Sequence, residues 1–329
     1  MSIIAGVSWT QHGYEVSVSS SPEVAEFRAC EFGALLGYLH GLRDSGRVSC
    51  VVDTSNCQVA ERLAAAGLRV IRLDPQFVPP EYRGRRVPAA VLAELGARYG
   101  DQLVAVGTEG ILADRYGEVT ATPMSDYLSG LISYRLPVSA SEVYLTFDDG
   151  PSDYTYSVLR ILERFGASAS FFAVGLNVIA HSGCIAATFG AGHTVANHTW
   201  SHPYVRDATQ DSLRFQLAST SEAIAQITGQ PCAYFRPPFG TRTAEVLIPA
   251  HEAGLRTMLW SHDSSDWAGL GSAAIIQNCM ADISPGSVVL LHDGGGDRAQ
   301  TVDALPVILR RLKALGLAAS ALPPAWGQA

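Results

Sequence analysis

The sequence has no excess of basic residues, and no Lys/Arg run is longer than two, as at Arg310–Arg311; the net charge is −8. A nucleic-acid backbone is thereby excluded as the main partner, because phosphate binding needs a basic surface. No stretch approaches the ~18 uninterrupted apolar residues of a spanning helix, so no membrane partner is expected. Met1–Val7 opens without a basic segment leading into a long apolar one, so no signal peptide is read there and a cytoplasmic location is expected. The six cysteines (Cys30, Cys50, Cys57, Cys184, Cys232, Cys279) are scattered and form no C-x-x-C pair. They are expected to be reduced, buried thiols, not a zinc or disulfide framework. Charged residues make up only 16% against 47% hydrophobic ones, which excludes wholesale disorder and allows a large packed core.

What is present falls into two unlike parts with no internal repeat, and 329 residues fit roughly two domains of about 150 each. In the first part, Ile3–Trp9 and Tyr14–Ser19 read as short strands around the turn at Gln11–Gly13. Phe32–Leu42 has helical spacing, Ser49–Asp53 is an apolar strand, Val59–Ala66 is helical, and Gly67 precedes the strand Leu68–Leu73. This order makes an α/β layered domain. With Gly-Val-Ser ending the first strand and Val-Asp-Thr-Ser-Asn in the fourth, it resembles the front of the ribonuclease-H-like fold. Nucleases of that fold need a carboxylate on the first strand; here Ser8 stands there and leaves Asp53 alone, which implies a non-catalytic module. Asp53 is read as a capping or turn residue. Pro75–Arg86 reads as a loop, Ala89–Tyr99 as a helix, and Gly110, Gly117 and Pro123 as turns.

A boundary is placed near Ser139, separating an accessory domain of residues 1–138 from residues 139–329. Beyond it the strands Val143–Phe147, Ala169–Val174, His193–Ala196, Tyr234–Phe235, Thr257–Trp260 and Val288–Leu291 alternate with helices. The helices are Thr155–Phe165, Ser212–Thr228, Thr243–Ala253, Ala273–Met280 and Thr301–Leu315. Repeated β–α units imply a parallel sheet, open or closed into a barrel, with functional groups at the C-terminal strand ends.

Five polar clusters fall at such ends. In Tyr144-Leu-Thr-Phe-Asp-Asp-Gly-Pro151, two adjacent carboxylates repel unless a cation relieves them. In His198-Thr-Trp-Ser-His202, two imidazoles four apart are read as facing one way on a helical turn, able to share a metal. In Phe235-Arg-Pro-Pro-Phe-Gly240, two prolines stiffen an arginine suited to holding a carboxylate, and the Phe239 N–H could meet an oxyanion. His262-Asp-Ser-Ser-Asp-Trp267 supplies carboxylates. Leu290-Leu-His-Asp293, before Gly294–Gly296, ends a strand on an imidazole suited to general acid work once a carboxylate orients it. Each alone also reads as a capping turn or a satisfied core residue; five in order point to one site.

Together these clusters resemble the five motifs of the polysaccharide deacetylases, the carbohydrate esterase family 4 enzymes that share the NodB homology domain, from about Val143 to Leu317. The resemblance implies a distorted (β/α) barrel with fewer than eight strands. It implies that Asp149, His198 and His202 bind a divalent metal, most commonly Zn2+, with Co2+, Mn2+ or Ni2+ as alternatives. It further implies Asp148 as general base, Arg236 holding that base, His292 as general acid and Asp266 orienting it. Trp267 and Leu290 would line the acyl pocket beside Phe239; Asp263 matches the motif without an assigned role. The expected activity is removal of an N-acetyl or N-acyl group from an intracellular sugar, oligosaccharide or specialised metabolite. Two alternatives are carried: a cyclic amide or ureide hydrolase of the same fold, and a binding module with a vestigial site.

Overall fold

The computed structural model describes residues 2–43, 46–53, 56–73, 77–82, 86–99, 105–106, 126–137, 141–205 and 208–323. The turns expected at Gly110, Gly117 and Pro123, and the boundary residue Ser139, lie outside these. The described strands form two sheets.

The first sheet is built from β1 (Ser2–Trp9), β2 (Gly13–Val18), β3 (Val24–Arg28), β4 (Arg47–Val52), β5 (Arg69–Arg72) and β6 (Ala105–Val106), in the order β3-β2-β1-β4-β5-β6. The β1–β2–β3 meander is antiparallel, whereas β4 and β5 run parallel to β1. Helices α1 (Phe32–Leu42), α2 (Cys57–Ala65) and α3 (Ala89–Tyr99) connect or cover it. Asn56 caps α2 by accepting the Val59 N–H at 3.0 Å, and the helix buries Val59, Ala60 and Leu63. Strand β3, not anticipated from the sequence, is an edge strand whose residues alternate between exposed and half-buried. Edge strands carry no strong apolar signature.

The second sheet contains β7 (Ile132–Ser133), β8 (Glu142–Asp148), β9 (Ser170–Ala173), β10 (Thr194–Asn197), β11 (Tyr234–Phe235), β12 (Arg256–Met258), β13 (His262–Asp263), β14 (Val288–His292) and β15 (Ala318–Ser320). The path β13-β14-β8-β9-β10-β11-β12-β7 is parallel throughout. An Arg135–Ser287 bridge and the Leu136 N–H to Gly286 C=O bond (3.0 Å) bring the far edge, just after β7, back toward the start of β14. The sheet therefore curls into the distorted barrel that the strand–helix alternation implies. Strand β7 belongs to this sheet although it precedes the boundary expected at Ser139.

Outer helices are α4 (Asp126–Gly130), α5 (Asp153–Phe165), α6 (Gly175–Ala180), α7 (Ser182–Gly190), α8 (Gln210–Thr228), α9 (Ala244–Glu252), α10 (Ser272–Met280) and α11 (Ala299–Ala314). Helix α5 starts on the Ser152 cap, stops at left-handed Gly166, and turns Val158, Leu159 and Leu162 inward. Helices α6 and α7 were not read from the sequence, because Gly175, Ala180, Ser182 and Gly183 break the apolar period.

The two sheets share one apolar core. Trp9, Phe32, Leu35 and Leu63 of the first part pack in the same cluster as Leu176, Ile185, Trp200 and Ile224 of the second. No helix of the described residues is long and apolar enough to cross a membrane. Cys50, Cys57, Cys184 and Cys279 are buried, as expected, whereas Cys30 is exposed and Cys232 half-buried.

Candidate active site

Strand β8 ends on Asp148, whose Oδ1 accepts from Arg236 Nη1 at 2.7 Å. Arg236 follows β11 and is wholly buried. Its remaining N–H groups donate to Met258 and Leu259 carbonyls (2.9 Å each) and to Thr146 Oγ1 (2.7 Å), and its plane lies 4.1 Å from the Phe172 ring. A guanidinium fixed on so many sides cannot follow a moving partner, so it sets where Asp148 points. Burial alone pulls Arg236 below its ordinary value.

Asp149 adopts φ 75°, a left-handed conformation; His198 Nε2 lies 3.9 Å from Asp148 Oδ2, so both carboxylates face the same imidazole. Asp149 Oδ1 lies 3.4 Å from His198 Nε2 and 3.1 Å from His202 Nε2. His198 Nδ1 sits 2.6 Å from the Arg236 carbonyl, which can only accept, so Nδ1 donates there and Nε2 is the ring nitrogen turned to Asp149. The ligand atoms of Asp149, His198 and His202 all lie within 4.8 Å of one another, and all three residues are buried. Among the described residues Asp149 Oδ1 accepts no hydrogen bond. Ligand atoms at about 2.0–2.1 Å from one tetrahedral ion stand roughly 3.3 Å apart, so this donor set fits a divalent ion. Burial raises the Asp149 carboxyl, but His202 and His198 outweigh it and hold the group well below the usual carboxylate range.

The His198–His202 segment corrects one expectation. It is a loop, not a helical turn, with Thr199 at φ 67° and His202 at φ 54°. Gln216 of α8 holds it: its Oε1 accepts the Trp200 and Ser201 N–H groups at 2.7 and 2.9 Å, and its Nε2 donates to Ser201 Oγ at 2.8 Å. Asn197 Oδ1 accepts the Thr199 N–H at 2.9 Å. Neither residue was singled out from the sequence, since each acts on backbone groups that leave no spacing pattern.

His292 ends β14, and its Nδ1 lies 2.6 Å from Asp266 Oδ1. Asp266 Oδ2 accepts from the His292 N–H and Thr301 Oγ1, each at 2.8 Å. Nε2 is the ring nitrogen left for the pocket. Burial lowers the His292 pKa, but the Asp266 charge and hydrogen bond outweigh it, and the net direction is upward. Asp263 Oδ1 accepts the Ser265 N–H at 2.7 Å, so it shapes the turn that carries Asp266. Asp293 is buried and its carboxyl is pushed up to about 7, first by burial. It accepts from Thr155 Oγ1 at 2.5 Å. Its N–H donates to the Asp148 carbonyl at 3.1 Å. A side chain at Gly295 would sit 2.4 Å from Asp149 Oδ2, so the glycine run after Asp293 allows that loop to close over Asp149.

Asp148, Asp149, His198, His202, Phe239, Leu290 and His292 line one pocket together with Pro237, Gly240 and Trp260. Phe239, at φ 58°, meets His202 edge-on at 4.8 Å and stacks on Tyr204 at 4.8 Å. Arg236 and Asp266 stand behind the lining as supports. Trp267, expected in the lining, is half-buried beside Asp266 and is not part of it; Trp260 is the tryptophan that faces the pocket.

Residues 135–258 match the family described as polysaccharide deacetylase. The chain is 36% identical over 191 residues to a peptidoglycan-N-acetylglucosamine deacetylase of Bacillus cereus, spanning 57% of this chain and 89% of the relative. It is 32% identical over 202 residues to a chitooligosaccharide deacetylase of Azorhizobium caulinodans, spanning 57% of this chain and 96% of the relative. A crystal structure of a peptidoglycan N-acetylglucosamine deacetylase bound to an N-oxidanyl-benzamide superposes with a TM-score of 0.57 at 32% identity, covering 60% of this chain and 94% of that one.

Proposed function

The chain belongs to the polysaccharide deacetylase family, and on that footing we propose that it is a metal-dependent hydrolase that removes the N-acetyl group from an N-acetylated amino sugar, an oligosaccharide or a related specialised metabolite. One observation carries the reading. A carboxylate and two imidazoles converge at one end of a pocket that also presents an arginine-held carboxylate, Asp148, and a carboxylate-held imidazole, His292.

Asp149, His198 and His202 would hold the ion, with Zn2+ the best match to two nitrogens and one oxygen, and Co2+, Mn2+ or Ni2+ as alternatives. When bound, such an ion supplies Lewis-acid polarisation of the acyl oxygen and a water of lowered pKa. Asp148, held by Arg236, takes a proton from the attacking water. The negative charge developing on the acyl oxygen is met by the Phe239 N–H. His292, charged against Asp266, gives its proton to the departing nitrogen as the C–N bond breaks, so the products are acetate and a free amine. Leu290 and Trp260 would enclose the acetyl methyl. The intact pair of proton-transfer groups favours a linear amide over ring opening.

The relatives named above act on N-acetylated glycans, which supports a sugar substrate. An intracellular substrate is part of the proposal; it is supported by the scattered cysteines, which form no C-x-x-C pair and whose described thiols are reduced. The first sheet is inferred to be a ribonuclease-H-like accessory module without nuclease chemistry, because Ser8 Oγ donates to the Val87 carbonyl at 2.6 Å and Asp53 Oδ2 accepts the Val87 N–H at 2.7 Å. The division into an accessory part, residues 1–138, and a deacetylase part, residues 139–329, is kept as part of the proposal, with β7 of the preceding segment pairing into the second sheet. The test is acetate release from a panel of soluble N-acetylated sugars, with the protein stripped of metal and then reloaded. Acetate must appear only in the loaded sample; equal activity after complete chelation defeats the mechanism.

A further inference from the structure

Two of the three ion-binding side chains are supported from the N-terminal part. Asp149 and His202 both have left-handed backbones, which residues with a Cβ keep only when their surroundings hold them. The first turn of α2 touches both. The Cys57 N–H donates to the His202 carbonyl at 3.2 Å. Gln58, only 7% exposed, directs Nε2 toward the Asp149 carbonyl at 3.5 Å and accepts from Asn177 Nδ2 at 3.1 Å. Asn177 donates to the same Asp149 carbonyl at 2.8 Å. The Asp149 peptide thus sits under two carboxamides, one from each part of the chain. His198 is held differently: its N–H donates to the Ala173 carbonyl at 3.0 Å and its ring to Arg236, both within the second part.

A second route reaches the same residues. The Arg72 guanidinium, at the end of β5, lies 5.3 Å from the Tyr204 ring; Tyr204 stacks on Phe239, and Phe239 meets His202 edge-on. One apolar cluster continues from the first part into the second.

We propose that the first turn of α2, through Gln58 and the Cys57 N–H, is a positioning element of the metal centre, so that the N-terminal part sets metal affinity instead of acting as a separate binding module. This rests on the metal-site reading above. Outer-sphere partners of metal ligands typically change affinity by about 10–100-fold, and Gln58 acts on the backbone that aims Asp149.

The experiment titrates metal-free full-length protein with Zn2+ against a chromophoric chelator, for wild type, Gln58→Leu, Gln58→Asn and Phe215→Ala. Phe215 stacks on Trp9 at 6.3 Å across the same interface and is not among the residues lining the pocket. Both Gln58 variants are expected to weaken Zn2+ binding about 10-fold or more, to lose kcat at limiting Zn2+ and to recover it when Zn2+ is saturating. Phe215→Ala is expected to bind as wild type does, even with a lower Tm. Wild-type affinity in a folded Gln58 variant, or equal weakening in Phe215→Ala, overturns the positioning role. Failure of wild type itself to bind Zn2+ defeats the underlying metal-site reading first. If Gln58→Leu does not fold, Gln58→Asn carries the test.

Discussion

Both parts of this chain are α/β layers with polar residues at the C-terminal ends of their strands, yet among the described residues those of the second part gather around one pocket while Ser8 and Asp53 of the first do not line it. In the first, Ser8 and Asp53 at the ends of β1 and β4 both turn onto the backbone of Val87. In the second, Asp148, Asp149 and His292 are held from behind and aimed at a cavity. A strand-end position therefore does not make a residue functional. What matters is whether its hydrogen-bonding capacity is satisfied by the protein's own main chain or left directed into space.

This contrast can be broken most severely at the ion-binding side chains. A His198→Ala, His202→Ala double substitution is expected to abolish metal binding and reduce acetate release to background, read by metal content and product assay. Full activity in that protein would remove the metal site from the account. Next in size, Asp148→Asn should keep its metal while kcat falls about 10²–10⁴-fold, the usual worth of a positioned proton acceptor. A parallel loss of metal would mean that Asp148 is a ligand and not a base.

Asp266→Asn is expected to act more mildly, about 10–100-fold on kcat, as outer-sphere partners do, and with a diagnostic sign. His292 must be protonated to act, and Asp266 is what holds its pKa up against burial. Removing that charge leaves burial to lower the pKa, so the alkaline limb of the rate profile should move to lower pH. A shift upward would assign the limb to another group. The smallest effect on catalysis belongs to the first part: Ser8→Ala strands the buried Val87 carbonyl and should lower stability by about 1–3 kcal/mol in a denaturant titration, with kcat unchanged. A collapse of kcat without loss of stability would give that strand end a function after all.

Much of the second part was legible in the sequence because its chemistry sits in short motifs directly after apolar strands. The helices Phe32–Leu42 and Ala89–Tyr99 run as their apolar spacing implies. The supports were not legible. Gln216, Asn197, Gln58 and Asn177 act on backbone N–H and C=O groups brought near by the fold, and no residue spacing encodes such contacts. The His198–His202 spacing suggested a helix because four-residue separation suits one, but Thr199 and His202 are left-handed, and tertiary contacts to Gln216 decide the loop. Trp260 in the pocket lining follows β12 by two residues and belongs to none of the five polar clusters, so no motif pointed to it. The contact between α2 and the Asp149 loop joins residues separated by 91 positions, so it emerges only once both sheets are in place.

The most direct measurement is acetate release from N-acetylated chito-oligosaccharides by wild type and Asp148→Asn at equal, measured metal content. The account predicts one acetate and one free amine per bond cleaved by wild type, and at least a 100-fold slower reaction for Asp148→Asn at the same metal occupancy. No acetate from any N-acetylated sugar with metal-loaded wild type, or equal rates for the two proteins, would contradict it.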